Sequence, residues 1–383
     1  MIYTPAFWAM AVANLTHTAS FSALFLLPLY IIDQGGDQAD IGLLMGVFAL
    51  ASALCRPWVS EMIDRIGRKR SYTLGSLVML GSPLLYLTLI DPLGRFYTLF
   101  LALRILHGVG MAICFTAVFT YMADVIPKNR FNEGIGMFGI SGLIGVAVGP
   151  LLAEAVLSRA GYDGLFLTAA GLAVIALLVH QPLPESYLSH QRRTGSSFFV
   201  LLKQGRFLVI ALLSLLFGFG LAGTGNFVAP LAEERQLGVI SFYYLAYSAG
   251  AITTRFVGGR LADLYGDNRL LPYGLGLYAA GLLLLPLTWG LNLFTLSGFC
   301  AGTGHGLLFP TLNTMAVRDE PMETRGKATG IFTGSIDCGV FAGSLLLGYI
   351  GEWFNLEILF VVAGLCMLAG LSLFRFHSRM ASP

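Results

Sequence analysis

Charged residues are scarce in this chain. Of its 383 residues only 11% are Asp, Glu, Lys or Arg, whereas 56% are hydrophobic and the mean hydropathy is +0.75. Water-soluble domains carry about 25% charged residues, so this chain cannot cover a soluble domain of its length with a polar surface. The same shortage excludes a disordered protein and a nucleic-acid-binding protein. We conclude that the sequence encodes a membrane protein that crosses the bilayer several times.

Cysteine is also scarce, and no motif of a metal, redox or intramembrane enzyme site is present. The five cysteines lie in apolar runs without a CxxC pair, which predicts that they pack as small hydrophobic residues. The sequence lacks an HExxH pattern, and its histidines show no metal-ligand spacing. These absences predict no catalytic residues, no metal and no cofactor. The apolar runs leave no space for a soluble signalling domain, which argues against a receptor.

Long apolar runs predict transmembrane helices, because lipid offers no hydrogen bonds to an open sheet edge. A span needs roughly 20 apolar residues. Polar, Gly and Pro breaks divide the chain into spans at 6–32, 39–59, 71–90, 96–122, 134–157, 165–182, 206–232, 239–262, 270–289, 294–317, 327–350 and 357–376. We therefore predict an all-α polytopic fold of twelve transmembrane helices. Its parts are an N-terminal six-helix bundle at 1–182, a linker at 183–205 and a C-terminal six-helix bundle at 206–383.

Lys and Arg are distributed unevenly among the connections between spans. Nineteen of the 23 lie on or beside one set of connections, whereas only Arg95, Arg159 and Arg235 lie on the other set. Connections rich in Lys and Arg remain in the cytoplasm. We therefore predict that the connections rich in Lys and Arg are cytoplasmic, together with the linker and both termini.

The two halves of the chain resemble each other. Residues 56–69 (RPWVSEMIDRIGRK) align with residues 255–268 (RFVGGRLADLYGDN), and residues 136–152 align with residues 330–346. Two similar bundles in the same orientation predict a pseudo-two-fold axis along the membrane normal. Such an arrangement predicts a solute site between the halves, near the midplane.

A loop motif lies at the end of the second span, where an aspartate is followed by a glycine turn and several basic residues. Such a carboxylate and such cations can bridge neighbouring helix ends. A second copy lies after the eighth span, with acidic and amide residues in place of the cations. The pattern resembles the loop between helices 2 and 3 of the major facilitator superfamily, which latches the cytoplasmic gate. The resemblance implies a gate formed by Asp64, Arg65, Gly67, Arg68, Lys69, Asp124, Asp263 and Gly266.

Two further motifs are similar to motifs of that superfamily. RILHGVG at 104–110 is similar to R-x-x-x-G-x-G, whose arginine is tied to proton coupling in exporters. We predict Asp33 or Glu154 as its acid partner. The alternative is an arginine that snorkels outward or closes a helix contact. The fifth span is rich in glycine, which predicts close helix packing, and its ending resembles the antiporter motif. That ending consists of Gly145, Gly149 and Pro150.

Four ionisable residues lie near the middle of their predicted spans, on the order of 15 Å from a span end at 1.5 Å per residue. Helical spacing places further polar and aromatic residues on the same faces. Histidine titrates in the physiological range, and an intramembrane carboxylate is costly unless it has a function. We therefore predict a pathway for solute and protons. Its residues are Asn14, His17, Phe21, Phe25, Asp33, Arg104, His107, Glu154, Asn226, His305, Phe309, Asn313 and Asp337.

The resemblance covers essentially the whole chain and implies a secondary active transporter that works by alternating access. The motifs favour proton-coupled export of a small amphipathic organic solute. The alternatives are proton-coupled uptake of an anionic solute and flipping of a lipid or metabolite. We expect a monomer in the inner membrane of a bacterial cell, whose partners are the solute, protons and the lipid bilayer.

Overall fold

The computed structural model describes residues 3–89, 92–127, 130–186, 201–265, 267–318, 320 and 322–380. All regular secondary structure within these residues is helical. Eight of the described helical stretches are long and apolar enough to cross a membrane. The prediction of an all-α polytopic membrane fold is therefore confirmed.

The first half contributes six helices to the described structure. They are α1 (Pro5–Asp33), α2 (Gln38–Ile66), α3 (Arg68–Tyr86), α4 (Leu93–Val125), α5 (131–160) and α6 (162–180). A 3-10 turn at Leu24–Leu26 interrupts α1. Gly161 separates α5 from α6, because its φ of 61° and ψ of −160° do not fit a helix. Glycine is the residue that adopts such angles without steric cost.

The second half of the chain contributes the other six helices of the described structure. They are α7 (Gly205–Glu234), α8 (Ser241–Tyr265), α9 (Asp267–Leu284), α10 (Leu291–Val317), α11 (Met322–Trp353) and α12 (Leu356–Met380). A π-helical segment at Gly223–Phe227 interrupts α7. These twelve helices of the described residues follow the predicted spans along the chain, although α3 ends at Tyr86 and not at residue 90. Pro92 instead directly precedes the first residue of α4.

Contacts divide the chain into two compact units. Unit 1 comprises Met1–Asp37, Val47–Ser189 and Val239–Leu245, and unit 2 comprises Gln38–Gly46, His190–Gly238 and Ala246–Pro383. Helices α2 and α8 therefore each have their first turns in one unit and their remaining turns in the other.

Glycines let α5 pack closely on α1 in unit 1. A Cβ atom on Gly145 would clash with the carbonyl of Leu15, and one on Gly149 would clash with the carbonyl of Ala19. Pro150 lies inside the same helix, directly after this contact. Small residues allow such an approach of two backbones within a membrane.

The same kind of contact joins α11 to α7 in unit 2. A Cβ atom on Gly339 would clash with the carbonyl of Leu215, and one on Gly343 would come too close to the backbone of Phe219. The aligned glycines of the two halves thus pack against equivalent helices, α1 and α7. The duplication in the sequence is therefore also a duplication of helix packing.

The four tryptophans lie near helix ends with their side chains exposed. Trp8 is 56% exposed, and Trp58, Trp289 and Trp353 are each at least 70% exposed. Tryptophan is enriched where a membrane protein meets the lipid headgroups, because its ring is apolar and its N–H is polar. Their positions agree with helices that cross a bilayer.

Candidate functional site

Arg104 of α4 lies in a buried basic and aromatic cluster of unit 1. Its side chain is 2% exposed, and its guanidinium carbon lies 4.6 Å from the centre of the Phe48 ring. The hydroxyl of Tyr86 interacts with the same guanidinium. A cation over an aromatic face is stabilised by the ring electrons, most strongly where water is excluded. Arg104 therefore points into the helix bundle and does not snorkel outward.

His107 lies one helical turn beyond Arg104 and contacts the same two aromatic residues. Its Nδ1 atom is 3.0 Å from the Tyr86 hydroxyl, and its ring meets Phe48 edge to face at 5.4 Å. The side chain is fully buried, and Nε2 has no hydrogen-bond partner in the part of the chain that the structure describes. An unpartnered buried nitrogen costs free energy in this conformation, so its presence calls for an explanation such as a role in another state of the protein.

His17 of α1 is a second buried histidine of this cluster. It is 3% exposed, and neither ring nitrogen has a hydrogen-bond partner among the described residues. Its ring lies 5.9 Å from that of Tyr72 on α3, and it is near enough to His107 for the two imidazoles to interact electrostatically. Two predicted histidines and the predicted arginine are therefore brought together in unit 1.

The predicted phenylalanines of α1 line the same region. Phe21 stacks on Phe48 with ring centres 5.4 Å apart, so it borders the Arg104 cluster directly. Phe25 lies one turn further on, 5.1 Å from the ring of Tyr244. Tyr86, Tyr72 and Phe48 were not among the predicted site residues.

The two predicted acid partners of Arg104 have other contacts. Asp33 is exposed at the end of α1 and accepts a hydrogen bond from the side chain of Gln34 at 3.2 Å. Glu154 accepts hydrogen bonds from the backbone N–H groups of Ile240 at 2.6 Å and Ser241 at 2.9 Å. Glu154 thus caps the start of α8.

Asn14 and Asn226 make the same contact in the two units. The amide of Asn14 donates to the Ser141 hydroxyl at 2.9 Å, which joins α1 to α5. The amide of Asn226 donates to the Ser344 hydroxyl at 2.7 Å, which joins α7 to α11. Both asparagines are at most 6% exposed, so each satisfies a buried polar group at a helix contact.

Unit 2 contains a second histidine, arginine and aromatic cluster. The Nδ1 atom of His305 is hydrogen bonded to the Tyr247 hydroxyl, and its ring lies 5.2 Å from Phe217 and 5.9 Å from Phe309. The guanidinium of Arg255 lies 5.7 Å from the Phe309 ring centre. Unlike His107, His305 is partly exposed.

Two further residues of the predicted pathway, Asn313 and Asp337, lie in unit 2. The Oδ1 atom of Asn313 on α10 is buried and has no hydrogen-bond partner within the described ranges. Asp337 on α11 is partly buried and takes part in interactions with its surroundings.

The two clusters resemble each other in two contacts, although the tyrosine comes from α3 in unit 1 and from α8 in unit 2. In each, a histidine of the fourth helix of its half binds a tyrosine hydroxyl through Nδ1. An aromatic ring also meets each imidazole edge to face. Phe48 lies 5.4 Å from His107 at 86°, and Tyr247 lies 5.5 Å from His305 at 88°. Phe48 and Tyr247 occupy aligned positions in the duplicated sequence, so the alignment could have identified both.

The predicted gate residues Asp64, Arg68 and Asp124 lie together in unit 1. The Arg68 side chain is 14% exposed; its Nε atom lies 3.1 Å from Asp124, and its Nη2 atom lies 3.3 Å from Asp64. Arg65 instead pairs with Glu61 at 2.5 Å on the exposed face of α2. One cation of the motif thus bridges α2 and α4.

Glu185, which follows α6, was not predicted and holds the start of α3. Its carboxylate accepts backbone N–H bonds from Arg68 at 2.8 Å, Lys69 at 3.1 Å and Arg70 at 3.2 Å. Gly67 has a φ of +105°, and a Cβ atom there would clash with this carboxylate. The glycine of the motif therefore makes room for a helix cap.

The residues around Glu185 are fixed to α4 as well. Ser186 donates to Asp124 at 2.9 Å, and the Tyr121 hydroxyl donates to the carbonyl of Pro184 at 3.1 Å. In the second copy of the motif, Gly266 and the side chain of Asp263 lie outside the described residues.

Comparison with known proteins gives a family match over nearly the whole chain. A family model described as the Major Facilitator Superfamily matches residues 9–318 and 210–382. MJ1560 of Methanocaldococcus jannaschii, named an uncharacterized MFS-type transporter, is 25% identical over 362 residues, which is 88% of this chain and 89% of that protein. YhhS of Escherichia coli carries the same description and is 26% identical over 366 residues, covering 93% and 88%.

Solved structures of transporters share the fold. The nucleoside transporter NupG superposes with a TM-score of 0.73 at 14% identity, covering 97% of this chain and 100% of that one. A POT family transporter in complex with 5-aminolevulinic acid superposes with a TM-score of 0.83 at 13% identity, covering 98% and 96%. At these identities the similarity shows the fold alone.

Proposed function

Because the chain belongs to the major facilitator superfamily and is a membrane transporter of that type, we propose that it exports a small amphipathic organic solute in exchange for protons. The observation that supports this proposal is the buried cluster of Arg104, His107 and His17 in unit 1. The superfamily motif around Arg104 and the GxxxGP ending of α5 favour export by antiport.

The cluster has the chemistry that a coupling site needs. Three ring nitrogens of His17 and His107 are buried without partners in the described structure, beside the permanent charge of Arg104. Histidine can take up and release a proton near neutral pH. Like charges repel strongly in a low-dielectric interior. A proton on either ring would therefore change the electrostatics around Arg104 and bias which conformation is favoured.

The aromatic residues fit a solute with an apolar body. Phe21 and Phe48 stack beside the cluster of unit 1, and Phe309 stacks on His305 in unit 2. Binding sites for small organic molecules combine such apolar surfaces with a few polar groups. The polar groups here are the imidazoles and amides of the predicted pathway.

The uneven distribution of Lys and Arg supports the proposed topology. Both termini and the linker at 183–205 lie in the cytoplasm, between bundles at 1–182 and 206–383. The protein works as a monomer in the inner membrane. A membrane-impermeant thiol reagent applied to right-side-out vesicles should label a cysteine placed at Arg159 and leave one placed at Arg65 unlabelled.

The coupling is tested in proteoliposomes that contain a pH-sensitive dye. The solute used is the first amphipathic compound that stabilises the purified protein in a thermal-shift screen, since a ligand that binds the folded state raises its stability. We expect solute movement to drive proton movement in the opposite direction. Arg104→Gln should lower proton flux at least tenfold, whereas the exposed control Arg159→Gln should not change it.

Two outcomes would contradict the proposal. Solute movement without proton movement would favour flipping or facilitated diffusion. Protons and solute that move in the same direction would favour uptake.

A further inference from the structure

Two glutamates, Glu154 near the end of α5 and Glu352 near the end of α11, each bind the start of a different helix. Glu154 accepts the backbone N–H groups of Ile240 and Ser241, at 2.6 and 2.9 Å, at the start of α8. Glu352 accepts the backbone N–H group of Gln38, at 3.2 Å, at the start of α2. The alignment of α5 with α11 places Gly348, and not Glu352, opposite Glu154. The two caps therefore lie at corresponding helix ends, about one helical turn apart in the alignment.

The capped helix starts are those that lie in a different unit from the rest of their helices. Glu154 and the first turn of α8, within Val239–Leu245, belong to unit 1. Glu352 and the first turns of α2, within Gln38–Gly46, belong to unit 2. Any movement of one unit with respect to the other must therefore break these contacts or bend α2 and α8.

Close packing accompanies both caps. On α2, a Cβ atom at Gly42 would clash with the carbonyl of Ser344, and one at Gly348 of α11 would clash with the carbonyl of Gln38. On α8, the ring of Tyr244 lies 5.1 Å from Phe25 of α1. Each glutamate thus fixes a helix start that is also held by side-chain or backbone packing.

We propose that Glu154 and Glu352 are paired positioning residues, which hold the first turns of α8 and α2 in the conformation seen here and which release them during the transport cycle. This inference rests on the proposed transporter function. A carboxylate at a helix start binds free N–H groups and interacts favourably with the helix dipole. Glu154 makes two bonds in a partly buried position, whereas Glu352 makes one in an exposed position. Replacement of Glu154 should therefore release the start of α8 more than replacement of Glu352 releases the start of α2.

The proposal is tested by distance measurements with paired spin labels. The labels are placed at Arg159→Cys, after α5, and at Leu287→Cys, after α9, in a background in which the native cysteines are replaced by serine. We expect Glu154→Ala with Glu352→Ala to raise the population of longer separations roughly tenfold. Glu234→Ala removes an exposed carboxylate at the end of α7 and serves as the matched control.

The Gln variants keep one acceptor oxygen without its charge and should give an intermediate shift. Thermal unfolding in detergent establishes that each variant is folded. An unchanged distance distribution in the folded double Ala variant would overturn the proposal, as would an equal shift in the control. The distances are measured without solute, so a failure of proton exchange in proteoliposomes would refute the proposed function and leave this inference standing.

Discussion

Arg235 shows how one buried cation can join three helices. Its side chain, 2% exposed, donates to the carbonyls of Leu285 at 3.0 Å, Pro286 at 2.9 Å and Thr288 at 2.6 Å, and to Glu357 at 2.7 Å. These contacts connect the end of α7 to the end of α9 and the start of α12. Carbonyls at a helix end lack partners within their own helix, so the guanidinium satisfies them while its own charge is neutralised by the carboxylate.

We therefore predict that Arg235→Met destabilises the protein by about 3 kcal/mol, because Glu357 is left partly buried without its cation. Arg159→Met, at an exposed arginine, should change stability by less than about 0.5 kcal/mol. Unfolding in detergent at increasing denaturant concentration measures the stability of both variants. Addition of Glu357→Leu to Arg235→Met should recover part of the loss. Equal stability of the two single variants would contradict the role of Arg235 in joining the three helices.

At the scale of helices, the glycines of α5 and α11 determine how closely α1 and α7 approach. Gly149 and Gly343 face the backbones of these helices, whereas a Cβ atom at Gly136 or Gly334 would have no neighbour within 4 Å. The four positions thus provide two contact sites and two matched controls within the same two helices.

We predict that Gly149→Ala and Gly343→Ala each lower stability by about 1–3 kcal/mol, because the added methyl group forces the helices apart. Gly136→Ala and Gly334→Ala should be neutral or slightly stabilising, since alanine favours the helix over glycine. Thermal unfolding of the four purified variants measures the difference. A loss of stability in the controls as large as in the contact variants would mean that glycine is needed for some reason other than close packing.

The sequence predicts such helices well because their signals are local. Apolar length defines a span, and glycine spacing defines a packing face. The contacts of Glu185, Glu154 and Arg235 were missed because each joins residues far apart in the chain, and no local spacing encodes them. Arg104 and His107 can be selected as candidates from the sequence because ionisable residues stand out within an apolar span, whereas their neighbour Tyr86 does not.

At the scale of the whole molecule, the two histidine clusters have similar contacts but differ in burial. Arg104 and His107 are at most 2% exposed, and the cluster of unit 1 includes a second buried histidine, His17. In unit 2, His305 and Arg255 are partly exposed. A buried group exchanges protons only when a conformational change gives it access to water, whereas a partly exposed group can contact solute directly. We therefore predict that His107 matters mainly for proton coupling and that His305 matters mainly for solute binding.

This difference predicts separate effects of two equivalent substitutions. His107→Gln should abolish proton movement and leave solute binding within a few-fold of the unmodified protein, because it removes a proton acceptor from the buried cluster. His305→Gln should weaken solute binding at least tenfold while the remaining transport stays coupled to protons. His180→Gln is the control, because both ring nitrogens of His180 already have partners, in Ala176 and Thr73. Its replacement should lower stability without uncoupling solute movement from proton movement. Proton flux and solute affinity are measured on the same proteoliposomes to separate these effects. Loss of coupling in both His107→Gln and His305→Gln would show that the histidines of both halves take part in proton coupling.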